Sequence, residues 1–177
     1  MPNGQNLEHA LFCIDASALI RIFRFYPNDL IMPIWKKLED LFKKGQLFSH
    51  RLVYEELTTD SKEPDLLSKC IKPLRSSFRT MQFDQAKLVS KIVSEFPGLI
   101  DSSREKNQAD PWLVALGIEE QKRVDLFNPE KKIYIISEES ESKPNRIPAV
   151  CRHKGIEHLN LERFYKLMDW SFQLSSK

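Results

Sequence analysis

Four acidic stretches have the residue types and positions to do chemistry. Asp15 directly follows the apolar run Ala10-Leu-Phe-Cys-Ile14, and Glu56 lies in the segment VYEEL. Asp110 sits in Ala109-Asp110-Pro111, and Glu138, Glu139 and Glu141 follow the run KIYIIS, which ends at Ser137. Hard divalent cations take oxygen ligands, and Mg²⁺ is typically held by only a few carboxylates with water and substrate phosphate completing its shell. Acids placed after strands and on helix faces are therefore the layout of a pocket for one or two such ions, the arrangement used in metal-assisted phosphodiester cleavage.

Each acid alone also has a plainer reading. Asp is a poor strand residue, so Asp15 at the end of an apolar run reads equally as a ligand or as a turn or helix-cap aspartate. Asp110 before Pro111 is a strong helix-start signal by itself. On a helix holding Val53 and Leu57, Glu56 shares their stripe and faces inward, whereas Glu55 points to solvent. An inward carboxylate is costly unless a cation or donor meets it, or unless it reaches out to water. The adjacent charges after KIYIIS must be solvated or share a cation.

The elements that would carry these residues follow from periodicity. Residues 10–14 and 132–137 are short apolar runs without alternation, as expected for strands buried on both faces of a parallel sheet. Ser17 is placed to cap a helix carrying Leu19, Ile20, Ile22, Phe23 and Tyr26. Further helices are predicted over 33–44, 50–58, 64–78, 84–95, from 109 through Ile118, 148–153 and 161–172, with short strands at 46–49 and 157–159. Residues 98–108 read as a polar loop, and 1–9 as a polar leader without the features of a signal peptide. No repeat or linker divides the chain, so residues 1–177 are expected to form one α/β domain with helices on both faces of the sheet. Ligands of such sheets sit outside the carboxyl ends of the strands.

With 41% apolar and 29% charged residues, the chain has the composition of a globular protein with one sizeable core. The net charge of +2 does not point to a nucleic-acid partner, so any phosphate must be gripped by local basic groups. The candidates are Arg21 and Arg24 on the first helix, and Lys143, Arg146, Arg152 and Lys154 beyond the acidic loop, although most of the 27 Lys and Arg must be ordinary surface charges. Three widely spaced cysteines argue against a disulfide framework, and no apolar run is long enough to span a membrane, so a cytoplasmic location is expected. Cys151, His153 and His158 match no standard zinc spacing. Ser17 and Leu19 stand where a haloacid-dehalogenase phosphatase would need Asp and an adhesion-type metal site would need Ser. The helical spacing of Trp112 and Trp170 suits core packing better than base stacking.

The ordered segments FCIDAS (12–17), VYEEL (53–57), ADPWLVALG (109–117), IYIISEE (133–139) and CRHKGIEHLNLERFYKL (151–167) resemble the PIN domain. They look closest to the small prokaryotic proteins related to VapC-type toxins. The resemblance implies a three-layer sandwich with a central parallel sheet of four to five strands, and an acidic pocket that binds Mg²⁺ or Mn²⁺. Its acids match Asp15, Glu56, Asp110 and Glu139, with Ser17 and Ser137 as supporting hydroxyls. Glu139 stands where the family usually has Asp, and the longer side chain makes contact through water an alternative to direct ligation. The activity implied is endoribonuclease cleavage of single-stranded or looped RNA, as the toxin of a toxin–antitoxin pair. An antitoxin protein is then the expected partner, and a homodimer is compatible with the pattern. The competing reading is a catalytically weak or inactive scaffold that acts through RNA or protein contacts.

Overall fold

The computed structural model describes residues 9–59, 65–80, 83–101, 103 and 108–172. The polar leader, apart from His9, and residues 102 and 104–107 of the polar loop lie outside these, as do residue 64 of the helix expected over 64–78 and residues 173–177 at the end of the expected domain.

Five strands, β1 (Ala10–Ile14), β2 (Leu47–His50), β3 (Phe78–Arg79), β4 (Lys132–Ile136) and β5 (Glu157–Leu159), form a parallel sheet in the order β3-β2-β1-β4-β5. Phe12 lies opposite Leu47 and Tyr134, and Cys13 opposite Phe48 and Ile135. Alternate residues of a strand point to opposite faces, so Phe12 and Tyr134 share one face while Cys13, Phe48 and Ile135 share the other. The lack of alternation in ALFCI and KIYII is thereby explained: both faces are covered.

The helices are α1 (Ala16–Phe25), α2 (Asn28–Lys43), α3 (Arg51–Thr59), α4 (Leu66–Ile71), α5 (Phe83–Glu95), α6 (Asp110–Phe127), α7 (Ile147–Lys154) and α8 (Leu161–Leu167). On one face, Phe164 of α8 packs edge-on against Phe12 at 5.0 Å between ring centres. On the other lies α6, where a Cβ added to Gly117 would come within 2.7 Å of Ile135 Cδ1. Leu113, Val114, Ala115 and Leu116 are buried in succession because α6 is held between the sheet and α5. The result is a three-layer α/β sandwich.

Several boundaries differ from the sequence expectation. Helix α2 begins five residues before Pro33 and keeps that proline inside it, because burial of Ile31 and Ile34 outweighs the one lost hydrogen bond. The helix expected over 64–78 is α4, then a 3-10 stretch (Lys72–Ser77), then β3, a strand of two residues too short to show any period. Helix α6 runs on to Phe127, and α8 stops at Leu167. The cap of α1 is Asp15 and not Ser17, which lies inside the helix. Among the described residues no helix is long and apolar enough to cross a membrane.

The order of strands places the site. From β1 the chain moves outward to β2 and β3, then crosses back to build β4 and β5 on the other side of β1. The strand order therefore reverses at β1 and β4, and in such sheets ligands bind outside the carboxyl ends of the strands at that point. Phe12 anchors this centre between Tyr134 and Phe164. Truncation to Phe12→Ala is expected to cost about 3–5 kcal/mol, read as a fall in urea midpoint with an unchanged slope. A loss under about 1 kcal/mol would contradict a central role for this ring.

Candidate metal centre

Asp15 leaves β1 at this edge and is 3% exposed. Its backbone N–H continues the ladder to Ile136 O at 2.9 Å. Its Oδ2 caps α1, accepting from the Ser17 N–H at 3.0 Å and from the Ser17 hydroxyl at 2.5 Å. That hydroxyl also accepts from the Glu138 N–H at 3.0 Å, so Ser17 ties the end of β1 to the end of β4. The cap reading of Asp15 is thus correct for one oxygen only. Its Oδ1 is buried and has no hydrogen-bond partner among the described residues. Burial pushes the Asp15 carboxyl above its ordinary value, against the opposing pull of the Ser17 hydrogen bonds.

Asp110 does not cap α6. The cap position is Ala109, in helical conformation, and Asp110 is the first helical residue, with Pro111 next. Its carboxylate therefore sits at a helix N-terminus without closing the helix. Burial, followed by the charges of Asp15, Glu139 and Glu56, pushes its pKa up to about 8, with Arg146 opposing. The other three acids and Arg146 consequently lie within electrostatic reach of Asp110.

The other two acids are differently placed. Glu56 on α3 is exposed, not turned into the core as its helix phase suggested, and contributes from the rim of the site. Glu55 is also exposed and pairs with Arg51 at 3.0 Å. Glu139 is only 14% exposed in its side chain, and both of its oxygens are engaged. Oε2 accepts from the Ile147 N–H at 2.7 Å, capping α7, and Oε1 faces Arg146 at 3.3 Å. Burial raises its pKa against that cap bond. Glu138 is likewise used, with Oε1 accepting from the Leu161 N–H at the start of α8 at 2.7 Å.

The Ser137 hydroxyl bonds His158 Nε2 at 2.9 Å and so links β4 to β5. Arg21 approaches Glu138 at 3.7 Å, whereas Arg24 is exposed in the last turn of α1, roughly 13–14 Å along the helix from Asp15. Lys143 lines a cleft of about 410 Å³ beside the acidic loop, together with Phe96, Glu141, Arg152 and His153. Lys154 pairs with Glu95 instead.

Among the described residues no three His, Cys, Asp or Glu side chains converge as a ready-made chelate. The donors present nevertheless fit a hard cation that needs few protein ligands. Asp15 Oδ1 lacks a partner, Asp110 has no hydrogen bond to its carboxylate among the described residues, and the surrounding charge is negative. One polar residue at this edge had gone unnoticed in the sequence. His50 ends β2, is 1% exposed, and stacks on Trp112 of α6 at 5.8 Å. Its position directly after a strand was the available signal.

The fold and this edge define an α/β protein with a group of acids at the carboxyl edge of a parallel sheet. The chain belongs to the family described as Domain of unknown function (DUF4411), which it matches over residues 12–172. Comparison with curated proteins finds no match.

The charge crowding at Asp110 has a measurable consequence. Its ordinary pKa is 3.8, so between that value and about 8 the unfolded chain has released a proton that the folded chain keeps. The unfolded state then binds fewer protons, and stability falls as pH rises through this window. With divalent ions removed, Asp110→Asn at pH 8 is expected to melt at least ~2–4 °C above wild type, the shift worth about 1 kcal/mol in a chain of this size. The gap should close towards pH 4. A variant that melts below wild type at pH 8 would contradict the crowding.

Proposed function

We propose that this protein is a Mg²⁺- or Mn²⁺-dependent endoribonuclease that cuts single-stranded or looped RNA. The observation that carries the reading is that the buried Asp15 Oδ1 has no partner among the described residues, while burial and the charges of Asp15, Glu139 and Glu56 push the Asp110 carboxyl up to about 8. Buried carboxylates that lack donors are stable only when protonated or when a cation is present. Asp15 and Asp110 would hold the ion directly, with Glu56 at the open rim and Glu139 acting through water while it caps α7. Bound there, the ion lowers the pKa of a water and balances charge on the phosphate under attack. Ser17 keeps Asp15 in one orientation, and Arg146 offers a cation that can move from Glu139 to the phosphate.

The resemblance to VapC-type proteins extends this reading to the toxin of a toxin–antitoxin pair, held inactive by a partner protein. A scaffold without catalysis is the second reading, favoured by the engagement of both Glu139 oxygens.

An RNase assay with Mn²⁺ on single-stranded RNA tests the first reading. Wild type is expected to cleave and to stop in chelator, and Asp15→Asn and Asp110→Asn each to lose at least roughly 100-fold while remaining folded. Ser17→Ala should lose about 10-fold, because Asp15 keeps its backbone hydrogen bond but not its hydroxyl partner. Cleavage that survives in both Asn variants would overturn the mechanism, and intact folding with no cleavage in wild type would favour the scaffold.

A further inference from the structure

We propose that His50 donates a hydrogen bond from its Nε2–H to a phosphate oxygen of the substrate, held beside Asp15 and Asp110; the inference rests on the phosphodiester-cleavage reading above.

The register of the sheet brings this residue to the site. Cys13 lies opposite Phe48, and two further steps along both strands place Asp15 beside His50. Neighbouring strands run about 4.8 Å apart, so the two residues emerge together at the carboxyl edge. The imidazole stacks on Trp112 at 25° between planes, and Trp112 is two residues on from Asp110 in the first turn of α6. His50 is thus bracketed by the elements that carry both carboxylates.

Its hydrogen bonding fixes which nitrogen is available. Nδ1 accepts from the Leu52 N–H at 3.1 Å, so the proton of the neutral ring resides on Nε2. Burial pushes the imidazole down to about 4, with Glu55 opposing, which keeps this one-donor form at neutral pH. Nε2 itself is buried and has no partner among the described residues. At the same edge, among the described residues, His50 Nε2 is thus a donor without a partner and Asp15 Oδ1 an acceptor without one. A phosphate answers both: a cation on the carboxylates attracts it, and one of its oxygens accepts from Nε2–H.

The competing assignment is purely structural. Gln85 is buried, its Nε2 donates to Trp112 O at 3.2 Å, and its Oε1 also lacks a partner among the described residues. A water between Gln85 Oε1 and His50 Nε2 would satisfy both without any ligand.

Two substitutions separate the functions of the ring. His50→Asn keeps an acceptor for the Leu52 N–H and deletes the Nε2 donor, whereas His50→Gln keeps a donor near the Nε2 position. The full-length protein, labelled with ¹⁵N in histidine and ¹³C in Asp carboxyls, would be titrated with Mg²⁺ and then with inorganic phosphate. Wild type is expected to carry its proton on Nε2 and to show a shift at Nε2 when phosphate joins Mg²⁺. Phosphate affinity should fall roughly 10-fold or more in His50→Asn, the usual worth of a hydrogen bond to a charged group. His50→Gln should recover most of that loss. Equal phosphate affinity in wild type and His50→Asn overturns the proposal, as does loss of folding in both variants. If Mg²⁺ moves the Asp15 carboxyl but phosphate does not move Nε2, the donor role fails and the metal centre stands. If Mg²⁺ leaves Asp15 unmoved, the nuclease reading fails, and this inference with it.

Discussion

Negative charge at a buried sheet edge is the constraint to which the surrounding structure responds. Asp15, Glu139 and the exposed Glu56 all act on Asp110, and burial of Asp15, Asp110 and Glu139 makes their repulsion more costly than it would be in water. A fold can accommodate such a group by donating hydrogen bonds, by supplying a cation, or by leaving protons on the acids. All three devices are present here.

Helix ends supply the donors. The chain returns from β4 through two glutamates, and each accepts an N–H at the start of a following helix: Glu139 from Ile147 of α7 and Glu138 from Leu161 of α8. A carboxylate is favoured there because the first amides of a helix lack partners and the helix dipole is positive at that end. Arg146 supplies a cation within the chain, and Ser17 joins Asp15 to the backbone of β4. Among the described residues, what these devices leave without a partner is Asp15 Oδ1 and the carboxyl of Asp110. That charge lies where Asp15 ends β1 and Asp110 opens α6, at the carboxyl edge of the sheet.

Much of this was legible in the sequence because burial on both faces leaves a continuous apolar run. Ala10–Ile14 and Lys132–Ile136 could be read as central parallel strands, and the acids that follow them as edge residues. The two-residue strand β3 could not be read, since Phe78 continues a spacing that Leu74 makes look helical. Pro111 marked the start of α6 but suggested a capping role for Asp110, whereas Ala109 holds that position and caps with no side chain. The engagement of Glu139 and Glu138 depends on where α7 and α8 begin in space, and Leu161 is 23 residues from the glutamate it meets. Helix phase separated Glu56 from Glu55 but could not show that the site is open to water at that rim. His50 was hidden at the junction of a strand and a helix, where its partners, Leu52 and Trp112, are set only by packing.

The central claim is that a divalent cation takes over the charge that the fold leaves on Asp15 and Asp110. Calorimetric titration of Mn²⁺ at pH 7 in buffers of different ionisation enthalpy tests it directly. Below the Asp110 value of about 8, binding must displace its proton, so release of about one proton per ion is expected. That release should fade by pH 9, and binding should be lost in Asp15→Asn. Binding that releases no proton at pH 7, or that persists unchanged in Asp15→Asn, would contradict the account.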